Sequence, residues 1–404
     1  MVSDSTHTSV SYHRLLTDHR FVVILLVTAT ATIGSVLPPA LPGIAAGIDV
    51  DEATVGAVIT AYKLPSILVI PVAAAIADIY GRRSVLLPSL LLFAAGGGAI
   101  FLADSFATVL LCSLFLGVGA ATLFPLSVTL LGDFFDGARN SAGQGIRVGV
   151  IGIAIVIIPA VTGFLAGVQW NYPFLLFLLG LPVFGIVYVS LAEPIRDTNR
   201  RESLSKTVGS YGGAVRKELS DRSLSVLLCG GLTRGVSNYA LLTFVPLFAV
   251  GVLDATLFEA GLLLSARGVV YIVLSPLAGG LVARFARKYL LFVSLGICAA
   301  ALVAIPFSPG LPWLAVIVVV HAIGDALFDP VNKGTVTMMA RREYRAGIVN
   351  SLYVLKRIGQ TGAPVALGLV LSLTSYRHLF LLAGLFVATY LVAFGLWFRF
   401  EPVE

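Results

Sequence analysis

Runs of about 20 apolar residues recur along nearly the whole chain, at 21–40, 53–72, 84–102, 106–127, 146–167, 171–192, 223–250, 257–279, 288–307, 312–333, 347–373 and 378–398. At about 1.5 Å per residue, each can cross a hydrocarbon layer about 30 Å thick as one helix. Lipid offers no partner to a backbone N–H or C=O, so only helices and closed barrels span it. These runs lack the alternation of barrel strands. The expected fold is therefore all-α, with twelve transmembrane helices. Composition agrees, since 58% of the 404 residues are hydrophobic and only 12% charged, more apolar surface than a water-soluble fold can enclose.

The basic residues indicate how the chain lies in the bilayer. Nineteen of the 27 Lys and Arg fall in the two termini and in the loops after spans 2, 4, 6, 8 and 10, whereas the alternate loops hold Arg377 alone. This asymmetry predicts a multi-pass protein of the cell membrane with both termini cytoplasmic. The formal charge of +6 then reports orientation, and nucleic acid is not an expected partner. Cys112, Cys229 and Cys298 all fall inside spans without ligand-like spacing, so neither a disulfide nor a metal site is expected. The first run follows about 20 polar residues and leads into Pro38, Pro39 and Pro42, unlike a cleaved leader. No phosphate-cradling loop or nucleophile elbow is present, so the chain reads as neither an enzyme nor a cofactor carrier.

An internal repeat divides the spans six and six. GAATLFP at Gly119 to Pro125 returns as GDALFDP at Gly324 to Pro330, and the basic turn AAAIADIYGRR ending at Arg83 returns as GGLVARFARK ending at Lys288, both at an offset of 205. NSAGQGIRVG from Asn140 returns as NSLYVLKRIG from Asn350 at an offset of 210, pairing Arg147 with Arg357. A duplicated six-helix unit follows, with two pseudo-symmetric bundles at 21–192 and 223–399. Short cytoplasmic segments at 1–20 and 400–404 and a polar linker at 193–222 complete the expected organisation.

The turn from Ala74 to Arg83 resembles the loop signature G-x-L-x-D-R-x-G-R-R of the major facilitator superfamily, matching at Asp78, Gly81, Arg82 and Arg83 but not at Ala74, Ile76 and Ile79. Span 5 is similar to the superfamily's antiporter signature, keeping Gly145, Pro159 and Gly163, with Ala154, Ile158 and Thr162 in place of usual glycines. The resemblance implies two rocking bundles around a central site. It also implies a gating role for Asp78, accepting from span-capping donors or from basic groups of the other half, and a tilt towards export in the manner of the drug:proton antiporters. The chain departs from that group at Ser113, where an arginine is usual, and in the lack of an acid in span 1. The resemblance covers the whole chain as architecture.

Charges inside a span are costly, roughly 2.5–3.5 kcal/mol each at mid-depth, and by default mark functional sites. Lys63, Arg147, Arg234, Arg267, Lys333, Lys356 and Arg357 lie in spans, with Lys333 near enough to the end to snorkel. In span 10, His321, Asp325, Asp329 and Lys333 recur every fourth residue, so all four share one broad helix face. Three roles are open to the two aspartates: proton relay (with His321 as a further candidate), static pairing with Arg357, Arg234 or Lys333, or a direct site for a cationic substrate. The excess of basic groups would suit an anionic substrate group, with Arg147 and Arg357 approaching the cavity symmetrically. Tyr62, Asn238, Tyr239 and Tyr353 are candidate polar lining.

These residues together predict a monomeric secondary transporter whose partners are protons and a small molecule, drug or metabolite. Uptake or exchange of an organic anion is the alternative, and a non-transporting receptor is a further one. The predicted orientation is checked by Ser205→Cys in the linker. It should react with an impermeant thiol reagent only after the cells are opened, and labelling of intact cells would invert the topology.

Overall fold

The computed structural model describes residues 15–193, 222–274, 277–342 and 345–400. Most of the expected N-terminal segment, the linker at 194–221 and the tail at 401–404 lie outside the described residues. The described chain forms twelve long helical segments, with no strand among them. They are α1 His19–Gly47, α2 Glu52–Tyr80, α3 Arg82–Leu102, α4 Phe106–Phe134, α5 Gly137–Val168, α6 Tyr172–Ser190, α7 Arg222–Leu253, α8 Leu257–Leu274, α9 Arg287–Phe307, α10 Leu311–Met339, α11 Arg345–Leu373 and α12 Tyr376–Phe400.

Eleven of the twelve have the length and apolarity of a membrane crossing. The exception, α11, is as long as α4 but carries Lys356, Arg357 and Gln360 at its middle. That stretch packs inside the protein: a side-chain carbon on Gly235 of α7 would collide with the Lys356 carbonyl oxygen. Several helices outrun their apolar windows; α5 starts at Gly137 and α2 continues to Tyr80. Apolarity marks only the part in hydrocarbon, and backbone hydrogen bonding carries the helix on into polar sequence. Side-chain caps appear at three starts among the described residues: Asp18 accepts from the backbone N–H of Arg20 at 2.9 Å, Ser105 from that of Thr108 at 3.3 Å, and Thr256 from that of Glu259 at 3.2 Å.

The repeat has a structural counterpart. A side-chain carbon on Gly119 of α4 would stand 2.6 Å from the Ser89 carbonyl oxygen of α3, and one on Gly324 of α10 would stand 2.7 Å from the Ser294 carbonyl oxygen of α9. Both members of each contact are displaced by 205 residues, so one close helix crossing is built twice, as small interfacial residues allow in lipid.

The two halves meet at the face remote from the chain termini. There Thr60 of α2 donates to the Thr361 carbonyl of α11 at 2.7 Å, and the Tyr376 hydroxyl of α12 donates to Glu52 of α2. Phe164 and Phe258 stack edge to face across the same seam, centroids 6.4 Å apart. Beside them α5 and α8 lie backbone to backbone, and Gly163 and Gly261 are the sites where any side chain would collide with a carbonyl oxygen, of Leu257 and Pro159 respectively.

Gly261→Val should therefore wedge α5 from α8. Overpacking costs about 1–3 kcal/mol, which would shift a two-state opening equilibrium by about 5- to 150-fold. Cross-linking of a Thr60→Cys/Thr361→Cys pair, efficient in the parent protein, is expected to fall sharply in the variant.

Candidate functional site

The C-terminal half holds a buried charge cluster built from α7, α8, α10 and α11. Asp325 is its centre, with a side chain 3% exposed. Its Oδ1 lies 2.7 Å from Arg234 Nε, and its Oδ2 lies 2.7 Å from Arg267 Nη2 and also accepts from the Asn238 amide and the Tyr271 hydroxyl. Two guanidiniums, an amide and a phenol thus converge on one carboxylate. Tyr271 also accepts from Arg234 and Arg267 at 3.1 and 3.3 Å, which ties the donors to one another. Desolvating such ions is tolerable only when opposite charges and hydrogen bonds meet this closely; even so, Arg267 Nε has no hydrogen-bond acceptor among the described residues.

Asp329, one turn along α10, is held differently. Arg234 Nη1 and Lys356 Nζ approach it at 3.1 and 3.2 Å, and its side chain is 42% exposed. Arg234 therefore bridges the two carboxylates. The four-residue ladder read from span 10 does not form one chain of groups. His321 is fully buried and meets Ser237 through Nε2 at 2.9 Å, while Lys333 lies over the Tyr353 ring at 5.5 Å. The three partners open to static pairing fare unequally. Of Arg234, Arg357 and Lys333 only Arg234 pairs with an aspartate among the described residues, and Arg267 and Lys356 supply the other contacts. Adjacent helix positions point about 100° apart, so Lys356 reaches Asp329 and Arg357 does not.

In the N-terminal half Arg147 is buried, donating to Gln144 at 3.0 Å and Ser127 at 3.3 Å beside the Phe124 ring. Arg357 is half-buried; it forms no ion pair among the described residues, so the two repeat-related arginines stand in unlike surroundings. Lys63 lies between the rings of Tyr62 and Tyr239, 4.5 and 5.5 Å from their centroids. Both rings are buried. Tyr353 is exposed beside Lys333.

Among the described residues, the turn between α2 and α3 makes its polar contacts inside its own half. Gly81 has φ +102°, a conformation other residues rarely adopt. Arg82 bridges Asp78 and Asp133, the latter at 3.0 Å, and the Glu193 carboxylate accepts from the backbone N–H groups of Arg82 and Arg83. Arg83 donates to the carbonyls of Leu191 and Tyr188. Of the two kinds of partner open to Asp78, a donor of its own half and a basic group of the other half, the described residues show the first, Arg82. In α5, Pro159 and Gly163 sit in the seam with α8, whereas Gly145 has no neighbour where a side chain would project.

Sequence reasoning missed Tyr271, although it lies one turn after Arg267 on the same face of α8. It also missed Glu193 and Asp133, which carried no pattern of their own. Because Asp325 neutralises two buried guanidiniums, Asp325→Asn should cost roughly 3–5 kcal/mol. The half-exposed Asp329→Asn should cost clearly less. Thermal unfolding of the purified variants checks the order.

The sequence pattern of the Major Facilitator Superfamily matches residues 23–266 and, in a second match, 227–404. The chain is 22% identical over 381 residues to the Multidrug transporter protein MdtP of Bacillus subtilis (strain 168), covering 78% of this chain and 68% of that protein. It is 30% identical over 249 residues to Efflux pump FUS6 of Gibberella moniliformis (strain M3125 / FGSC 7600), which covers 59% of this chain and 42% of the pump. It thus spans less than half the length of the fungal relative. Among solved structures it superimposes on a point mutant of the nucleoside transporter NupG with a TM-score of 0.80 at 13% identity, covering 94% of this chain and 99% of that one. A bacterial homologue of the human lysosomal transporter Spinster, inward-facing and unoccupied, gives 0.77 at 16% identity, with 95% and 98% covered; at these identities the likeness is one of fold. With family matches that together run from residue 23 to 404 and twelve long helices in two like halves, this chain is a multi-span membrane transporter belonging to the Major Facilitator Superfamily.

Proposed function

We propose that this transporter exports small organic molecules by alternating access, driven by the proton gradient, with Asp329 as the proton carrier and Asp325 as a fixed anchor. The unequal surroundings of the two carboxylates carry this reading. Asp325 is closed in by two guanidiniums, an amide and a phenol, so a proton reaching it would have to break several buried contacts at once. Asp329 has two basic partners and a side chain 42% exposed, which leaves it open to water on one side. Protonating Asp329 removes the charge that holds Lys356 and weakens its hold on Arg234, which is bonded to Asp325 as well. A proton at Asp329 can therefore be felt by α7 and α11 together, and α11 forms part of the seam between the halves.

With the termini cytoplasmic, as the basic loops suggest, the closed seam lies on the outer side and the site is reached from the cytoplasm. This is the state in which an exporter collects its cargo. Relatives named as a multidrug transporter and an efflux pump support the direction. Organic-anion uptake or exchange is a second reading, supported by Lys63, Arg147 and Arg357, which among the described residues lack a carboxylate partner.

Proteoliposomes carrying the protein should move rhodamine 6G or carboxyfluorescein under an imposed pH gradient. Asp329→Asn is expected to lose that gradient-driven accumulation while keeping dye-for-dye exchange, which needs no net proton movement. Full pH-driven transport in Asp329→Asn, or no pH-driven movement of either dye by the parent protein, would count against the proposal.

A further inference from the structure

Six basic side chains, Lys63, Arg147, Arg234, Arg267, Lys356 and Arg357, lie inside the helical bundles, against two aspartates, Asp325 and Asp329. The aspartates are already committed to Arg234, Arg267 and Lys356. Coulombic attraction is several times stronger in such surroundings than in water, so the remaining cations make this region attractive to a further anion.

Lys63 occupies the most distinctive place of the three. It ends the first stretch of α2, where the helix is interrupted before Pro65. It lies one turn from Thr60, whose hydroxyl makes the seam bond to the Thr361 carbonyl. Its ammonium sits between Tyr62 of its own half and Tyr239 of the other. Tyr239 is adjacent to Asn238, which donates to Asp325, so Lys63 with its two rings and the charge cluster are neighbours along α7. An ammonium group carries three N–H donors, and among the described residues no oxygen accepts from this one. Arg147 is the next unneutralised cation. On α4 its partner Ser127 lies ten residues from Gly117, which packs against the Tyr62 carbonyl, and at 1.5 Å per residue that places it about 15 Å nearer the termini.

We propose that Lys63 receives the acidic group of an organic anion at the closed apex of the space between the halves, with Tyr62 and Tyr239 as walls for the anion's aromatic or apolar body. The carboxylate takes the free N–H donors, and the two rings supply flat apolar surface from opposite halves. An occupant there touches both halves one turn below the seam, and Arg147 extends the basic surface along the way towards the termini. The inference rests on the transporter reading but not on proton coupling or on the direction of transport.

The test is equilibrium binding at fixed pH by the purified full-length protein, read as the rise in unfolding temperature with ligand concentration. The probes are benzoate, neutral benzamide and cationic benzyltrimethylammonium. Benzoate should stabilise the protein saturably and benzamide should not. The apparent affinity for benzoate should fall at least about tenfold, or 1.4 kcal/mol, in Lys63→Gln, and largely persist in Lys63→Arg. Tyr239→Ala keeps the ammonium but removes one wall, and it should also weaken benzoate; it decides the matter if Lys63→Gln does not fold. Equal effects of benzoate and benzamide, or none from benzoate, would overturn the proposal. So would stabilisation by benzyltrimethylammonium alone, which would make the tyrosines a cation cage, or benzoate binding that survives Lys63→Gln and disappears in Arg147→Gln. Because no gradient is applied, failure here leaves the pH-driven test of Asp329 standing, and failure there leaves this one standing.

Discussion

The obligation to satisfy every backbone N–H and C=O within the protein, in a solvent that offers no hydrogen bonds, underlies everything else in this structure. It makes each spanning segment helical. The same solvent also removes the hydrophobic effect as a reason for helices to associate, since lipid tails are as apolar as leucine. What remains is close packing and polar contact. The structure uses the first at Gly119 and Gly324, where one helix crossing occurs in both halves, and at Gly163 and Gly261, where α5 and α8 meet across the seam.

Polar contact is used sparingly and unevenly. In the N-terminal half the clustered ion pairs lie at the turn after α2, where Arg82 joins Asp78 to Asp133 and Glu193 holds the start of α3. In the C-terminal half they lie deep in the bundle, around Asp325. Duplication therefore supplied the scaffold twice, while the charges diverged: Ala120 and Phe124 stand where the second half has Asp325 and Asp329. One half is tied at its edge and the other at its centre. The hydrogen bonds from Thr60 to Thr361 and from Tyr376 to Glu52 join the halves at one face, which suits two bodies that rock against each other.

Within the central cluster, burial separates two chemically identical groups. Asp325 and Asp329 are four residues apart on one helix, yet one is surrounded by donors and the other is open on one side. Arg234 binds both, so a change of charge at the open site alters the attraction at the closed one. Lys63 and its tyrosines lie beside this cluster, supplied by both halves.

Much of this was legible in the amino-acid sequence by itself: the spans from apolar length, the duplication from recurring motifs, and the candidate residues from the cost of burying charge. These are local properties, set by side-chain type and by spacing along one helix. The seam, the partners and the roles were decided by the tertiary structure. Span 10 read as one ladder, but packing sent His321 to Ser237, Asp329 to Lys356 and Lys333 to Tyr353. Sequence leaves Arg357 as one of several possible partners of the aspartates, whereas its neighbour Lys356 makes the contact, because a single residue's step turns a helix by about 100° and no sequence pattern states which way α11 faces. Tyr271, Glu193 and Asp133 became visible only when distant helices were brought together. Spacing determines which residues share a face, whereas the contacts a face makes depend on how the other helices pack around it.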